Sequence, residues 1–274
     1  MKMRKMLGIY GVNILTWILS ILLLAPLVLI LINSFKTSEA ASNMSLSWPA
    51  SFDWSNFTEV IEKGKLGTAF LNSLLYSGGS VLLTTALAAM AAYVLSRNRS
   101  KLNNFLYMFV VLGIAMPINF VALMKVMQIT QLMNKQIGII LLYSAVQMPF
   151  NVFLIYGFIS KIPRDIDEAA IVDGCTPFRL FISIILPLLR PVLVTVMVLT
   201  FLNTWNEFVM PLYFLGNSAK WPMTLAVYNF FGMYFKDWNL VCADIVLTSL
   251  PVVAVYLLGQ KYIVKGITAG AVKG

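Results

Sequence analysis

Histidine is absent from this 274-residue chain, cysteine occurs only twice, and charged residues make up only 11%. Without an imidazole group, histidine-based acid-base catalysis and histidine-containing zinc sites are excluded. Cys175 and Cys242 lie too far apart in the sequence to form a recognisable disulfide framework, and no metal site is predicted. An ordinary soluble domain has about 25% charged residues, so the shortage of charge argues against a water-soluble fold.

The sequence contains long hydrophobic runs, and 59% of its residues are hydrophobic. A helix needs about 20 mostly apolar residues to cross a hydrocarbon layer about 30 Å thick. Six stretches meet this requirement and predict an all-α integral membrane protein with one transmembrane domain over residues 1–274. The predicted spans cover about 7–32, 68–95, 105–124, 137–159, 191–215 and 239–258.

The distribution of basic residues predicts the orientation of these spans. Thirteen of the 20 Lys and Arg residues fall at the N-terminus, in alternate loops and in the C-terminal tail 259–274. Short basic loops stay in the cytoplasm, so both termini are predicted to be cytoplasmic. Basic residues in the cytoplasmic loops of a membrane protein therefore account for the net charge of +9. A nucleic-acid binder would carry it on a polar surface that this chain does not have.

The cytoplasmic loop 160–189 predicts a helix, a break and a second helix. Pro163 suits a first helical position, and the acidic residues that follow lie near the positive end of the helix dipole. The first helix should stop at Gly174, after which Thr176 caps a second helix that begins with Pro177. One apolar face is predicted for the second helix, made of Phe178, Phe181, Ile182 and Ile185. The loop is therefore predicted to dock with its apolar side toward the bundle and its charged side toward a partner.

The spacing within this loop resembles the EAA signature of the permease subunits of ABC importers. Every key position of the signature is present: Glu168, Ala169, Ala170, Gly174, Ile184, Leu186 and Pro187. The stretch FLNTWNEF at 201–208 and the ending GITAGAVKG at 266–274 narrow the resemblance to the smaller permease subunit of the maltose-type, carbohydrate-importing branch. The resemblance implies a type I ABC importer permease fold in a prokaryotic plasma (inner) membrane.

In that family the EAA loop is a coupling helix that docks on a separate ATP-binding subunit. The resemblance implies that Glu168 pairs with a basic group of that subunit, whereas Glu168 taken alone is an acid that stabilises the helix dipole. Ala169 and Ala170 would allow close packing, and Gly174 would make the turn. The implied coupling residues are Glu168, Ala169, Ala170, Asp173, Gly174, Leu186 and Pro187.

The sequence contains no Walker A loop. Gly64 and Lys65 are followed by Leu66, where the motif requires Ser or Thr, and Glu59 stands where the motif begins with glycine. The resemblance therefore implies that ATP and Mg are bound by partner subunits, and that this chain is not an enzyme and binds no cofactor of its own. The implied partners are a second homologous permease, two ATP-binding subunits and an extracytoplasmic sugar-binding protein. The C-terminal tail would contact the ATPase pair through Gly270, Lys273 and Gly274, although its composition also suits plain flexibility.

Polar residues inside the spans indicate a translocation path or gate, because they are unfavourable against lipid. For two polar stripes, helix packing is favoured over a hydrated passage. They are Ser73, Tyr76, Ser77, Ser80 and Thr84 in span two, and Tyr143, Gln147 and Asn151 in span four. Glu207 in span five either bonds backbone donors at the kink before Pro211, or reaches the outer interface, or forms a gate. The candidate path residues are Asn203, Trp205, Asn206, Glu207, Gln147 and Asn151.

The last outer loop, residues 216–238, is rich in aromatic side chains. In the family this loop enters the cleft of the binding protein, and an aromatic belt at the membrane interface is the alternative. The implied contact residues are Trp221, Tyr228, Asn229 and Tyr234.

The predicted function is that of a permease subunit that translocates sugars, such as oligosaccharides or glycosides, delivered by a binding protein. A permease for another polar solute, such as a polyamine or a phosphate ester, is the alternative within the same class. A stand-alone ion-coupled transporter would transport without ATP. An intramembrane peptidase is disfavoured because the chain lacks His, a paired intramembrane Asp and a Ser/Lys dyad within a span.

Overall fold

The computed structural model of the chain is all-helical. It describes residues 2–98, 100–230 and 237–271, with side chains described between residues 12 and 262. A π-helical segment covers Phe181–Ile185, and 3₁₀ turns cover Ser218–Lys220 and Val227–Phe230. The α-helices are α1 (Lys2–Asn33), α2 (Ser38–Ala41), α3 (Ser55–Lys63), α4 (Leu66–Arg97), α5 (Lys101–Leu112), α6 (Phe120–Ile129), α7 (Gln136–Ile159), α8 (Asp165–Val172), α9 (Pro177–Leu180), α10 (Leu186–Leu188), α11 (Arg190–Trp205), α12 (Val209–Phe214), α13 (Met223–Ala226) and α14 (Trp238–Ala271).

Four helices among the described residues are long and apolar enough to cross a membrane, and a bent pair makes a fifth if it counts as one span. The bent pair joins Pro177–Leu188 to Arg190–Trp205 at an angle of 76°. Pro187 and Pro191 flank the bend, and proline removes a backbone donor and disrupts the helix that precedes it. The four helices are Val12–Asn33, Leu66–Arg97, Gln136–Ile159 and Trp238–Tyr262.

The third predicted span is not one continuous helix. Residues 105–124 are divided between α5 and α6, which have 12 and 10 residues. Gly113 caps the end of α5, Pro117 follows, and the Asn119 side chain then accepts a 3.0 Å hydrogen bond from the backbone of Ala122 to start α6. The hydropathy of the stretch predicted its membrane location, but the break depends on this local turn chemistry.

The ends of two further predicted spans also differ in the structure. The predicted fifth span, 191–215, is divided into α11 and α12 by a break at residues 206–208. The last helix does not end near Leu258 but continues to Ala271, so most of the predicted tail is helical. Glycine weakens a helix without ending it unless a cap is formed, and here Gly266 and Gly270 lie inside the helix.

The chain divides into two compact units. The first contains residues 1–67 and 226–250. Within it the Nδ2 of Asn56 donates to the carbonyl oxygen of Lys36 at 2.9 Å, and the Oδ1 of Asn56 accepts from Nδ2 of Asn239 at 2.7 Å. This buried amide fastens the chain after α1 to α3 and to the start of α14.

The second unit contains residues 68–225 and 251–274. Its core lies where α4, α7 and α11 meet. Small alanine side chains on α4 allow the neighbouring helices to approach closely, as is common for helices packed in membranes. The buried residues of this core include Ala88, Ala89, Ala92, Val152, Ile155, Ile159, Ile185, Val192 and Val196.

Candidate functional site

The predicted break in the loop 160–189 is confirmed at Gly174. Helix α8 begins with acidic residues in its first turn and ends in a Schellman motif, in which the backbone N–H of Cys175 donates to the carbonyl of Ala170 at 2.9 Å. Gly174 has a φ of +76°, a conformation that favours glycine. A Cβ at this position would meet open space, so the backbone conformation and not crowding requires glycine here.

The second helix begins as the sequence predicted, but its apolar face is only half buried. The Thr176 hydroxyl accepts a hydrogen bond from the backbone of Arg179 at 3.4 Å, and Pro177 occupies the first turn. Phe181 and Ile185 are buried, whereas Phe178 and Ile182 are exposed, which corrects the predicted face. The π segment begins at Phe181, so its wider hydrogen-bond spacing shifts the register of Ile182 and the residues after it, but not that of Phe178.

Helix α8 has an outer and an inner face. We call Glu168, Ile171 and Val172 the outer face, because residues three and four apart share one side of a helix. Val172 is 86% exposed and Ile171 is 60% exposed. The sequence predicted a charged side toward a partner, and two large apolar side chains are also exposed there beside Glu168.

The other signature residues divide between the two faces. Ala169 is exposed on α8, whereas Ala170 is buried on its inner face. Asp173 and Pro187 are exposed, and Leu186 is half-buried. The signature therefore includes both exposed positions and positions that pack against the same chain.

The inner face of α8 is attached to the last turn of α4. The Nε of Arg97 lies 2.7 Å from Oδ2 of Asp167, and the two side chains are only 15% and 11% exposed. The guanidinium of Arg97 also donates to the carbonyl oxygen of Ile162 at 3.1 Å, and that of Arg164 donates to the carbonyl oxygen of Arg97 at 3.2 Å. Nothing in the linear sequence connects residues 97 and 167, so this contact is not predictable from the sequence alone.

The amides of the candidate path lie in two different environments. Asn203 on α11 is exposed and donates from Nδ2 to Oε1 of Gln147 on α7 at 3.2 Å. Asn151 is fully buried and donates to the hydroxyl of Thr200 at 2.8 Å. Gln147 and Asn203 therefore present polar atoms at a surface, while Asn151 holds α7 against α11.

Glu207 caps the helix that follows it. Its Oε1 accepts hydrogen bonds from the backbone N–H groups of Val209 at 2.8 Å and Met210 at 3.1 Å, so the carboxylate lies at the N-terminus of α12. Of the three alternatives for this residue, bonding to backbone donors at the kink is the one that the structure contains. Asn206 is exposed and its amide donates back to the carbonyl of Leu202 at 2.9 Å.

Trp205 lies inside the protein and not at its surface. It is 1% exposed and packs against Phe201 and Phe70, with ring centroids 5.3 Å and 5.8 Å away. The expectation that its ring faces a passage is not met in this conformation. Helical register alone did not predict this, because the partner ring comes from α4.

The polar stripe on α4 holds the connection between α12 and α13, residues 215–222. Tyr76 donates from its hydroxyl to the carbonyl oxygen of Lys220 at 2.8 Å, and the Ser73 hydroxyl accepts from the backbone of Met223 at 2.8 Å. Asn72 donates from Nδ2 to the carbonyl oxygen of Trp221 at 3.1 Å. The prediction that this stripe serves packing is confirmed for Ser73 and Tyr76, and Asn72 was missed.

The remaining predicted residues are placed as follows. Trp221 is half-buried and its indole N–H donates to the carbonyl oxygen of Leu215 at 3.0 Å. Tyr228 and Asn229 are exposed. Gly270 lies within α14, whereas Tyr234, Lys273 and Gly274 lie outside the described residues.

Comparison with known families gives a match over most of this chain. Residues 84–269 match the family described as "Binding-protein-dependent transport system inner membrane component". The matched stretch includes the whole loop that carries Glu168 and Gly174. The resemblance to ABC importer permeases inferred from the EAA signature is thereby confirmed.

Relatives match along nearly the whole chain. A probable starch degradation products transport system permease protein, AmyC of Thermoanaerobacterium thermosulfurigenes, is 34% identical over 265 residues, covering 96% of this chain and 97% of that protein. The melibiose/raffinose/stachyose import permease protein MelC of Bacillus subtilis is 33% identical over 254 residues, covering 91% of each. The multiple sugar-binding transport system permease protein MsmG of Streptococcus mutans is 31% identical over 278 residues, covering 100% of each.

The fold also matches a solved structure. A chain in the crystal structure of a bacterial ABC transporter involved in the import of the acidic polysaccharide alginate aligns with a TM-score of 0.83 and 20% identity, covering 94% of this chain and 96% of that chain. At this identity the likeness establishes the fold alone. The chain therefore belongs to the family of binding-protein-dependent transport system inner membrane components, and it is a multi-pass permease subunit of the bacterial inner membrane and not the ATPase of its ABC transporter.

Proposed function

We propose that this permease imports sugars, namely oligosaccharides or glycosides, that an extracytoplasmic binding protein delivers. The single observation that carries this proposal is the near full-length similarity to permeases whose names specify starch degradation products, melibiose, raffinose and stachyose. The working complex contains this chain, a second homologous permease and two ATP-binding subunits. ATP and Mg bind to those subunits.

The outer face of α8 is the proposed docking point for an ATP-binding subunit. Two exposed apolar side chains, Ile171 and Val172, support this, since apolar surface on a cytoplasmic loop is stabilised when a partner covers it. Glu168 beside them supplies a charge that pairs with a basic group of the partner. ATP-driven closure of the ATPases then moves α8 relative to the membrane.

The proposed topology has six spans with both termini in the cytoplasm. Helices α5 and α6 together form the third span, since their 12 and 10 residues reach about 33 Å when placed end to end. Helices α11 and α12 form the fifth. The excess of Lys and Arg in alternate loops supports this orientation.

The proposed path is lined by amides of α7 and α11, of which Asn203 and Asn206 are exposed and Gln147 is half-buried. Asn203, Gln147 and Asn206 offer both donors and acceptors, which suits neutral sugar hydroxyls. Glu207 shapes this wall by fixing the break between α11 and α12. Trp205 and Asn151 are buried, so they do not line the path but pack behind the residues that do.

The proposed contact with the binding protein lies in the outer loop 216–238. Tyr228 and Asn229 are exposed there, and Trp221 and Tyr234 are further proposed contacts in the same loop. The C-terminal residues Gly270, Lys273 and Gly274 are the proposed contact of the tail with the ATPase pair.

The test is ATP-dependent sugar uptake into proteoliposomes that contain the purified four-subunit complex. We expect the binding protein to stimulate ATP hydrolysis with an oligosaccharide of the starch or raffinose type, but not with a polyamine or a phosphate ester. Uptake by this chain alone without ATP would contradict the proposal in favour of an ion-coupled transporter. Stimulation by a polyamine alone would contradict the sugar specificity.

A further inference from the structure

We propose that the ion pair between Arg97 and Asp167 transmits movement of α8 to α4, and that α4 carries it to the connection between α12 and α13. This inference rests on the proposed function, because it assumes that an ATPase moves α8. It assigns Arg97 and Asp167 as positioning residues that act through the helices to which they belong.

The first step is that two adjacent acidic residues on α8 face in different directions. Glu168 is exposed on the outer face, whereas Asp167 is 8% exposed and faces the end of α4. Successive residues on a helix point about 100° apart, so one short helix presents one acid to a partner and the next acid to its own chain. A force applied on the outer face therefore reaches the Asp167 contact directly.

The second step is the strength of the attachment. Nε of Arg97 and Oδ2 of Asp167 lie 2.7 Å apart and both side chains are largely buried, so the attraction between them is that of a mostly buried ion pair. The Tyr93 hydroxyl donates to the other carboxylate oxygen of Asp167 at 3.4 Å. Removing one partner of a buried pair leaves an uncompensated charge, so separation of the two helices is strongly disfavoured.

The third step is that the attachment is reciprocal. Arg97 on α4 donates to the backbone carbonyl of Ile162, and Arg164 donates back to the carbonyl of Arg97. The second bond places a cation at the C-terminal end of α4, where the helix dipole is negative. The start of α8 and the end of α4 are thus joined by side chains from both sides and move together.

The fourth step is the length of α4. Its 32 residues span about 48 Å at a rise of 1.5 Å per residue, enough to cross the whole bilayer. At its other end Asn72, Ser73 and Tyr76 hold the backbone of the connection between α12 and α13. One uninterrupted helix therefore links the loop that faces the ATPase with the connection that leads into the proposed binding-protein loop.

The experiment measures ATP hydrolysis of the reconstituted complex with and without its binding protein, together with uptake. Asp167→Asn keeps the shape of the side chain and removes its charge. We expect the complex to assemble with its basal ATPase activity retained, while stimulation by the binding protein falls about 3- to 30-fold. The charge swap of Arg97→Asp with Asp167→Arg should regain most of the stimulation.

Two comparisons make the result decisive. Glu59→Gln removes the 2.6 Å ion pair with Lys63 on α3, which belongs to the other compact unit, and should leave stimulation unchanged. Combining Asp167→Asn with Tyr76→Phe should reduce stimulation by less than the product of the two single effects, because both act on α4. Multiplicative effects would show that α4 is not the link.

The inference is overturned if Asp167→Asn matches the wild type in stimulation, or if the charge swap is no better than the single variant. Loss of assembly in both would assign the pair to folding and also overturn it. Failure of the proposed function looks different, because the wild-type complex itself would then show no stimulation. A Glu168→Arg variant that abolishes stimulation while Asp167→Asn does not would sink this inference alone.

Discussion

The side-chain amide of Asn151 on α7 donates a 2.8 Å hydrogen bond to the hydroxyl of Thr200 on α11, and both side chains are fully buried. The hydrophobic core beside this bond is dominated by alanine and branched aliphatic residues. The bond fixes the relative position of the helix that carries Gln147 and the helix that carries Asn203. It therefore determines the spacing of the proposed path wall.

Thr200→Val removes the acceptor and leaves a buried amide unsatisfied. We expect the free energy of unfolding to fall by about 1–3 kcal/mol. The double variant Asn151→Leu with Thr200→Val should recover part of this loss, because replacing both partners with apolar groups can be nearly neutral. Thermal unfolding of the detergent-solubilised complex measures the difference.

The control is Thr16→Val, since the Thr16 hydroxyl donates to the carbonyl oxygen of Val12 in its own helix. It should change the unfolding temperature very little. A double variant no more stable than Thr200→Val would show that the hydrogen bond is not the stabilising element.

Close packing of α14 on α11 leads to a prediction at Gly259. A Cβ there would lie 2.7 Å from Cγ1 of Val198, so Gly259→Ala should destabilise the protein by about 1–3 kcal/mol. Adding Val198→Ala should restore most of the stability by making room. Gly157→Ala is the control, because nothing lies within 4 Å of its Cβ position and alanine favours a helix. Equal unfolding temperatures for Gly259→Ala and Gly157→Ala would contradict the packing argument.

The capping role of Glu207 makes a prediction that separates it from a charge-based gate. Glu207→Gln keeps an acceptor for the backbone of α12 and should retain most of the stability and uptake. Glu207→Ala loses both hydrogen bonds and should lower the free energy of unfolding by about 1–2 kcal/mol. Measuring uptake and thermal unfolding together decides the matter. Abolished uptake in a stable Glu207→Gln protein would instead assign the charge itself to transport.

The positive φ of Gly174 predicts a graded response to substitution. Gly174→Ala should strain the turn by about 1–2 kcal/mol and misplace α9 relative to α8. Asparagine tolerates this conformation better, so Gly174→Asn should perform between alanine and the wild type. The measurement is the amount of ATP-binding subunit that co-purifies with the permease. Identical recovery with all three residues would mean that the turn does not control docking.

Local rules made the loop between α7 and α11 largely predictable. The end of α8 follows from a glycine in the required backbone conformation, and the start of α9 follows from Thr176 and Pro177. The π segment after α9 was not predictable, because an extra residue in one turn leaves no mark in the spacing of apolar residues. It shifts the register of Ile182, which is exposed.

The features that sequence reasoning missed depend on contacts between distant segments. The buried position of Trp205 comes from Phe70 on another helix, and the Arg97–Asp167 pair joins residues 70 positions apart. The break in the third predicted span is different, since Gly113 and Pro117 were visible in the sequence. The apolar content of that stretch nevertheless predicted one continuous span, because hydropathy indicates location in the membrane and not continuity of the helix.

The most direct test of the central claim is site-specific photocrosslinking from the outer face of α8. Val172, 86% exposed in the chain, is replaced with a photoreactive phenylalanine analogue in the intact complex in its native membrane. We expect irradiation to link this position to an ATP-binding subunit, with a yield that changes when ATP is added. No link to that subunit, or labelling of a Val172→Cys variant by a membrane-impermeant thiol reagent from the outer side, would contradict the account.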